Sequence, residues 1–321
     1  MGLRVSVLDQ SPIPQGCTSS VALHNSLELA RLTDRLGYTR YWFAEHHGTP
    51  SLACNSPEVM IGPTALATKH IRVGSGGIML PHYSPLKIAE SFLMLEGLAP
   101  GRIDLGIGRA PGTSGAIARM LQRDRRQPPP NDFPDQLDEL SRYLHPTAIE
   151  LHLLGSSADS SMWAAERGMS YAFADFIYPG GEPFAAFYRE SFQPSAKLSR
   201  PRVSVCVWAV CADTDEEAFR LSYSARMSLL HLFRGQPIAV PPVEVAEEFL
   251  RREGAPIESL PAGRRLITGS PATVRVKIEA VAADYGAEEV FVVNTLYDHR
   301  ARLRSYELLA QAFELQREAS N

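Results

Sequence analysis

The chain has little with which to build a cross-linked or metal-bound scaffold. Its four cysteines, Cys17, Cys54, Cys206 and Cys211, contain no C-x-x-C pair, and 321 residues can bury a sizeable core without disulfide staples. Free, mostly buried thiols are the expectation. No H-x-H or H-E-x-x-H pair occurs, so a metal-dependent enzyme would lack its usual ligand spacing. No apolar run approaches the roughly 20 residues that span a bilayer. The N-terminal "MGLRVSVLDQ" also lacks the apolar core and cleavage site of a secretory signal, which points to a soluble, cytoplasmic protein with no membrane partner. There is no basic block either: 32 Lys and Arg stand against 36 Asp and Glu, a net charge of -4, which gives no support to nucleic-acid binding. Small molecules are the expected partners.

What the chain does have is alternation. Short β-branched or aromatic runs begin near residues 3, 39, 71, 102, 149, 170, 201 and 288, and helical patterns separate them. The stretch 19–37 repeats leucine at near-helical spacing and stops at Gly37, a helix-ending residue, while Ser56, Pro57 and Glu58 read as the start of the next helix. Eight β/α units in one chain of this length predict a single-domain (β/α)8 TIM barrel over 1–321. A doubly wound sheet, the rival, also alternates but usually has fewer strands. The surplus, residues 236–286, predicts an insertion of extra helical material between strands seven and eight.

In such a barrel the functional groups stand at the C-terminal ends of the strands. Those ends carry Asp9 and Gln10; Glu45, His46 and His47; Ser75, Gly76 and Gly77; Gly108 and Arg109; Ser156 and Ser157; Asp175; Cys211; and Asn294. Glu45, His46 and His47 suggest a metal site, but neighbouring strand residues face opposite ways, so they cannot all point inward. Glycines in "VGSGGIMLP" mark either a bulge that bends the strand or the close approach of a flat ligand. Arg109 offers a bidentate clamp for a phosphate, or a plain surface ion pair. "LLGSSADSSMWAAERG" runs a strand straight into a helix N-terminus carrying Ser156, Ser157, Ser160 and Ser161. One serine suffices for a cap; four at the positive end of a helix suit a phosphate-bearing cofactor.

Taken in order, "LDQSPIPQG", "YWFAEHHG", "IRVGSGGIMLPHYSPLKIAE", "GRIDLGIGRAP", "LLGSSADSSMWAAERG" and "YDHRARLRSYELLA" resemble the bacterial-luciferase-like flavin monooxygenases, in their alkanal-monooxygenase-like branch. The resemblance covers nearly the whole chain. It implies a TIM barrel with an insertion after strand seven, reduced FMN supplied by a separate flavin reductase, O2 as co-substrate, and oxygen transfer to a small organic molecule through a C4a-peroxyflavin. Carried over by position, Glu45 and Ser75, Gly76 and Gly77 lie along the flavin ring, at a non-proline cis peptide. Arg109, Ser156, Ser157 and Ser160 hold the phosphate, and His46 handles protons near the ring with a titration close to neutrality. The resemblance assigns no role to His47, and on the plainest reading it packs the loop beneath the site. F420-dependent hydride transfer and a non-catalytic flavin-binding paralogue are the alternatives within the superfamily, and a homodimer is one candidate assembly. Ser156 stands where luciferase itself has an acidic residue, so light-emitting aldehyde oxidation is not implied.

Overall fold

In the computed structural model, which describes residues 2–128, 130–263 and 265–316, strand and helix alternate along the whole chain. The first half runs β1 (Arg4–Asp9), α1 (Ser19–Leu36), β2 (Arg40–Phe43), α2 (Pro57–Ala67), β3 (Arg72–Met79), α3 (Pro85–Leu98), β4 (Ile103–Gly108), α4 (Gly115–Leu121) and α5 (Phe133–Tyr143). The second runs β5 (Glu150–Gly155), α6 (Ala158–Glu166), β6 (Ser170–Ala174), α7 (Glu182–Ser191), β7 (Val203–Cys211), α8 (Asp215–Leu221), α9 (Tyr223–Phe233) and α10 (Val243–Arg252). It ends with β8 (Leu266–Gly269), α11 (Pro271–Tyr285), β9 (Glu289–Val293) and α12 (His299–Ala312).

All strand pairs are parallel. β1 to β7 pair in sequence, β9 joins β7, and β9 returns to β1, which closes a barrel of eight strands and rules out the open doubly wound sheet. The eight expected runs are these eight strands. Gly37 ends α1 with φ 87°, a left-handed conformation that an L side chain rarely adopts, as its place after the leucine pattern implied.

Three details depart from the sequence reading. The insertion is not purely helical, because it contains β8. β6 pairs only with Val203 to Cys206 of β7, so the upper half of the nine-residue, fully buried β7 has an open edge, and Leu266–Gly269 pair with Trp208 to Cys211 there. The helical stretch after β7 is also broken into α8 and α9 at Ser222. Finally, β4 is followed by two helices, α4 and α5, rather than one.

Alternation along each strand sends one set of side chains to the helices and the other into the barrel. Val5, Val7, Tyr41 and Phe43 pack outward in the main core, whereas Leu8, Trp42, Cys206, Trp208 and Phe291 form an inner cluster. Trp42 stacks on Phe291 with ring centroids 4.1 Å apart. Below this aromatic layer lies an ionic one. Arg40 donates to Asp104 at 2.7 Å, Glu150 at 2.9 Å and Glu289 at 3.1 Å, and Trp42 Nε1 donates to Asp104 at 2.9 Å. Burial alone would raise the Asp104 carboxyl, but Arg40 and Arg72 outweigh it and hold the group below the usual carboxylate range. Asp104, Glu150 and His152 bring ligand-type atoms within 4.8 Å of one another. Two arginines already neutralise those carboxylates, so the cluster reads as a salt-bridged plug.

Arg40→Met would leave Glu289 and Asp104 buried with too little positive charge. Urea unfolding should show a loss of roughly 3–5 kcal/mol, the usual cost of removing one partner from a buried ion pair. A loss below about 1 kcal/mol, the range of surface pairs, would mean the cluster does not hold the barrel shut.

Candidate active site

Above the aromatic layer, the C-terminal strand ends enclose two cavities that share a wall. The first, about 440 Å³, lies over β3, β4 and β5 and reaches the start of α6. Gly76 and Gly77 line it, in a stretch where the register between β3 and β4 shifts and the Gly76–Gly77 peptide is cis, at the place the resemblance indicated. A Cβ on Gly77 would sit 2.7 Å from the backbone oxygen of Gly106, and one on Gly76 would sit 2.5 Å from Leu8 Cδ1. The strand is therefore both bent and stripped of side chains where it faces the cavity. Neither position has room for a side chain against its protein neighbours, so bare backbone faces the cavity here.

At the far end of this cavity Ser157 caps α6, accepting from the Ser160 amide at 3.4 Å, while the Ser160 hydroxyl donates to the Ser157 carbonyl at 2.7 Å. The capping reading is thus realised, yet Ser156, Ser157 and Ser160 also line the cavity. Arg109 joins them from the end of β4. Its guanidinium lies 5.0 Å from the centre of the Trp163 ring and donates to Asp159 at 2.9 Å. Hydroxyls, first-turn amides and an exposed arginine around one rim are the donor set that an anionic oxygen group requires.

Glu45 and Ser75 are placed differently from expectation, since neither lines either cavity. The Ser75 hydroxyl is fully buried and donates to the Gly106 carbonyl at 2.9 Å, across the strand pair. Glu45 is also fully buried. It accepts from the Met79 amide at 3.0 Å and the Tyr83 hydroxyl at 2.8 Å, and faces His47 Nε2 at 2.8 Å. The reason is that β2 stops at Phe43, so residues 44–47 follow loop geometry and strand alternation no longer governs them. Glu45 clips this loop to the end of β3, and His47 gains a partner that the sequence did not suggest.

His46 sits on the wall between the two cavities and lines both. Its amide donates to the Cys54 carbonyl, and its Nδ1 is buried without a partner among the described residues. Burial, helped by His47, lowers the imidazole from 6.5 to about 4, which corrects the expectation of a titration near neutrality. At neutral pH His46 is an uncharged hydrogen-bonding base. Gln10, Phe176 and Ile177 complete the shared wall, and only Gln10 had been visible as a strand-end group. Several other strand-end groups serve the scaffold. Asp9 accepts from Arg302 at 2.6 Å and Ser11 at 2.7 Å, Asp175 accepts from Tyr285 at 2.9 Å, and Asn294 donates to Ala209 at 3.1 Å.

The second cavity, about 490 Å³, is walled by Trp208 of β7, by Ser228, Leu229 and Leu232 of α9, and by the loops after β1 and β2. Backbone bonds stitch these walls together: Ile13 donates to Ser51 at 2.8 Å, and Val240 to Ile13 at 2.8 Å. The insertion and the β2 loop are thereby held against the same short segment.

Residues 3–145 match the model of the family described as luciferase-like monooxygenase. Over 94% of its length the chain is 37% identical to a luciferase-like monooxygenase of Escherichia coli, covering 95% of that protein. The chain belongs to the luciferase-like monooxygenase family. It is also 32% identical to the N-acetyl-S-alkylcysteine monooxygenase of Bacillus subtilis, with 97% of this chain and 98% of that one aligned. Among solved structures, apo-MsnO8 superposes with a TM-score of 0.90 at 39% identity, over 98% of this chain and all of the other. The FMN complex of the oxygenating constituent of 3,6-diketocamphane monooxygenase from Pseudomonas putida shares the fold, with a TM-score of 0.72 at 20% identity over 97% of each chain. The expected family, barrel and monooxygenase class are borne out.

Because the His46 imidazole is held neutral, acidification must charge it in the unfolded chain before the folded one. Its contribution to stability is complete above pH 6.5 and is lost as pH falls toward 4. Between pH 7 and 4.5 the native protein should lose roughly 2.5 kcal/mol more than His46→Gln, as read from urea midpoints at each pH. Parallel pH curves for the two proteins would contradict the assigned shift.

Proposed function

We propose that this protein is an FMN-dependent monooxygenase that uses reduced flavin, delivered by a separate flavin reductase, and O2 to oxygenate a small organic molecule. The observation that carries this reading is the pair of adjoining cavities with His46 between them. One has a glycine floor and a phosphate-type rim, and the other has neither. When bound, reduced FMN supplies the activation of O2 and the transfer of one oxygen atom. Kinship with monooxygenases and the FMN bound by the diketocamphane enzyme support the choice of cofactor.

The chain's own residues then have separate tasks. Ser156, Ser157 and Ser160, with the first amides of α6 and Arg109, hold the phosphate, and Arg109 exchanges or shares its bond to Asp159 to do so. Gly76 and Gly77 admit the ring. Glu45 and Ser75 act from behind, keeping the ends of β2, β3 and β4 in register. His46, neutral and facing both cavities, accepts or relays a proton where ring and substrate meet. The apolar walls keep water out.

Arg109→Ala should weaken oxidised FMN about tenfold, the equivalent of about 1.4 kcal/mol, while riboflavin, which lacks the phosphate, binds as before. Fluorescence quenching titrations read both, and an equal loss for the two would remove Arg109 from the phosphate site. With a reductase supplying reduced FMN, ¹⁸O₂ should place one labelled atom in the product, and His46→Ala should slow its formation at least tenfold. A protein that oxidises substrate only by hydride transfer to F420 would overturn the oxygenase reading. So would tight flavin binding without any reaction with O2.

A further inference from the structure

Resting on that two-cavity reading, we infer that the second cavity selects an uncharged, largely apolar substrate and rejects the same molecule when it carries a carboxylate or sulfonate. Among the described residues lining this cavity there is no Asp, Glu, Lys or Arg. The contrast is with the cofactor cavity beside it, whose rim carries Arg109 and a helix N-terminus. An anion entering the second cavity would shed water and meet no cation, a cost that burial of an unpaired charge always incurs.

The arginines nearest in sequence to the wall are turned away from it. Arg226 of α9 donates to Ser222 at 2.9 Å and to the carbonyls of Ile257 and Leu260, and is 4% exposed. Arg234, just past the end of α9, pairs with Glu253. The two wall residues able to carry charge are histidines. His46 is held neutral by burial, and His47 Nε2 is already engaged by the buried Glu45 side chain at 2.8 Å. Among the described lining residues an anion therefore finds no free cation in exchange for its water.

The mouth carries the same character. Ile177, Leu232 and Phe233 are lining residues that remain 49%, 52% and 48% exposed, an apolar collar where a surface ordinarily turns polar. A cavity of about 490 Å³ falls in the range that buries a small organic ligand. Charge is therefore sorted between the two sites: the anionic end of the cofactor to one, an uncharged substrate to the other.

The test uses matched pairs that differ only in charge: N-acetyl-S-benzylcysteine, cinnamic acid and 2-naphthoic acid, each beside its methyl ester. Each probe is titrated calorimetrically at pH 7.5 into the full-length protein saturated with oxidised FMN. At least one ester should bind, and each ester that binds should bind at least tenfold more tightly than its acid. Leu232→Arg, at a half-exposed position outside the cofactor cavity, should narrow or invert the ratio while leaving FMN affinity unchanged. Leu229→Lys, deeper in the same wall, checks the result independently. Acids that bind the native protein as tightly as their esters would overturn the inference, as would failure of every ester or an unchanged ratio in both variants. The FMN titration and the ¹⁸O₂ experiment report on the function separately, so a protein that oxygenates an anion by the flavin route would sink this inference alone.

Discussion

The closed barrel depends on Arg40. A single guanidinium in the first residue of β2 reaches Asp104 on β4, Glu150 on β5 and Glu289 on β9, and Glu289 in turn accepts from Ser6 on β1 at 2.5 Å. Five of the eight barrel strands therefore meet in one hydrogen-bonded cluster, with Arg72 of β3 added through Asp104. Exchanging a whole buried ion cluster for apolar residues is often neutral for stability, but leaving a charge in it unmatched is costly. Its effect is therefore to penalise any register or closure that separates the partners. Hydrophobic burial drives the collapse of these strands; the ionic floor restricts which collapsed arrangement survives.

That floor also decides where ligands can go. With charges filling the N-terminal end of the barrel interior and the Trp42–Phe291 stack above them, the interior opens toward the C-terminal end, where the two adjoining cavities lie. Buried carboxylates are held in two ways. Asp104 and Glu289 below, and Asp9 at the top of β1, are matched by arginine, and Arg302 joins Asp9 to α12 at 2.6 Å. Among the described residues no arginine pairs with Glu45. Three neutral or titratable donors hold it instead, and they all belong to the loops and strand ends that frame the cavities. The scaffold is locked by full charge pairs, and the site is held by directional hydrogen bonds.

The eight strands and most helices were legible because each depends on local pattern: β-branched runs, leucine spacing, and stop signals such as Gly37. β8 was not, because its four residues form a strand only against the edge that β7 presents after β6 ends, a condition set by distant residues. In the site, Gly76, Gly77, Arg109 and the α6 serines were legible since strand ends and helix starts are local features. The burial of Glu45 and the lowered titration of His46 were not. Glu45 lies two residues past the last residue of β2, where strand alternation no longer governs the chain, and the burial that lowers His46 is a property of the assembled loops. Trp208, Leu229 and Phe176 escaped notice because apolar residues that line a cavity look, in sequence, like any other core residue. A usable signal existed in the insertion itself: extra chain between strand seven and the outer helix that follows it belongs to a βα loop, and those loops lie at the end where ligands bind.

The insertion explains how the wall of one cavity can vary while the other cavity stays as it is. β8 is anchored to β7 by strand pairing, and α8 is clipped to the start of α11 where Asp215 accepts from the Ser270 amide at 2.6 Å and the Thr273 hydroxyl at 3.1 Å. These fixed ends belong to the barrel. Between them α9 and residues 235–240 supply much of the second cavity's wall and touch the rest of the protein through few directional bonds, the Val240 contacts with the loop after β1 among them. Side chains there can change size and polarity with little effect on Arg40, the glycine floor or the α6 cap, because Arg40 lies in the barrel floor and the other two line the first cavity. His46 faces both cavities, together with Gln10, Phe176 and Ile177. Under the proposed function it is where a change in the second cavity would act on the chemistry, through the hydration and charge around one neutral imidazole.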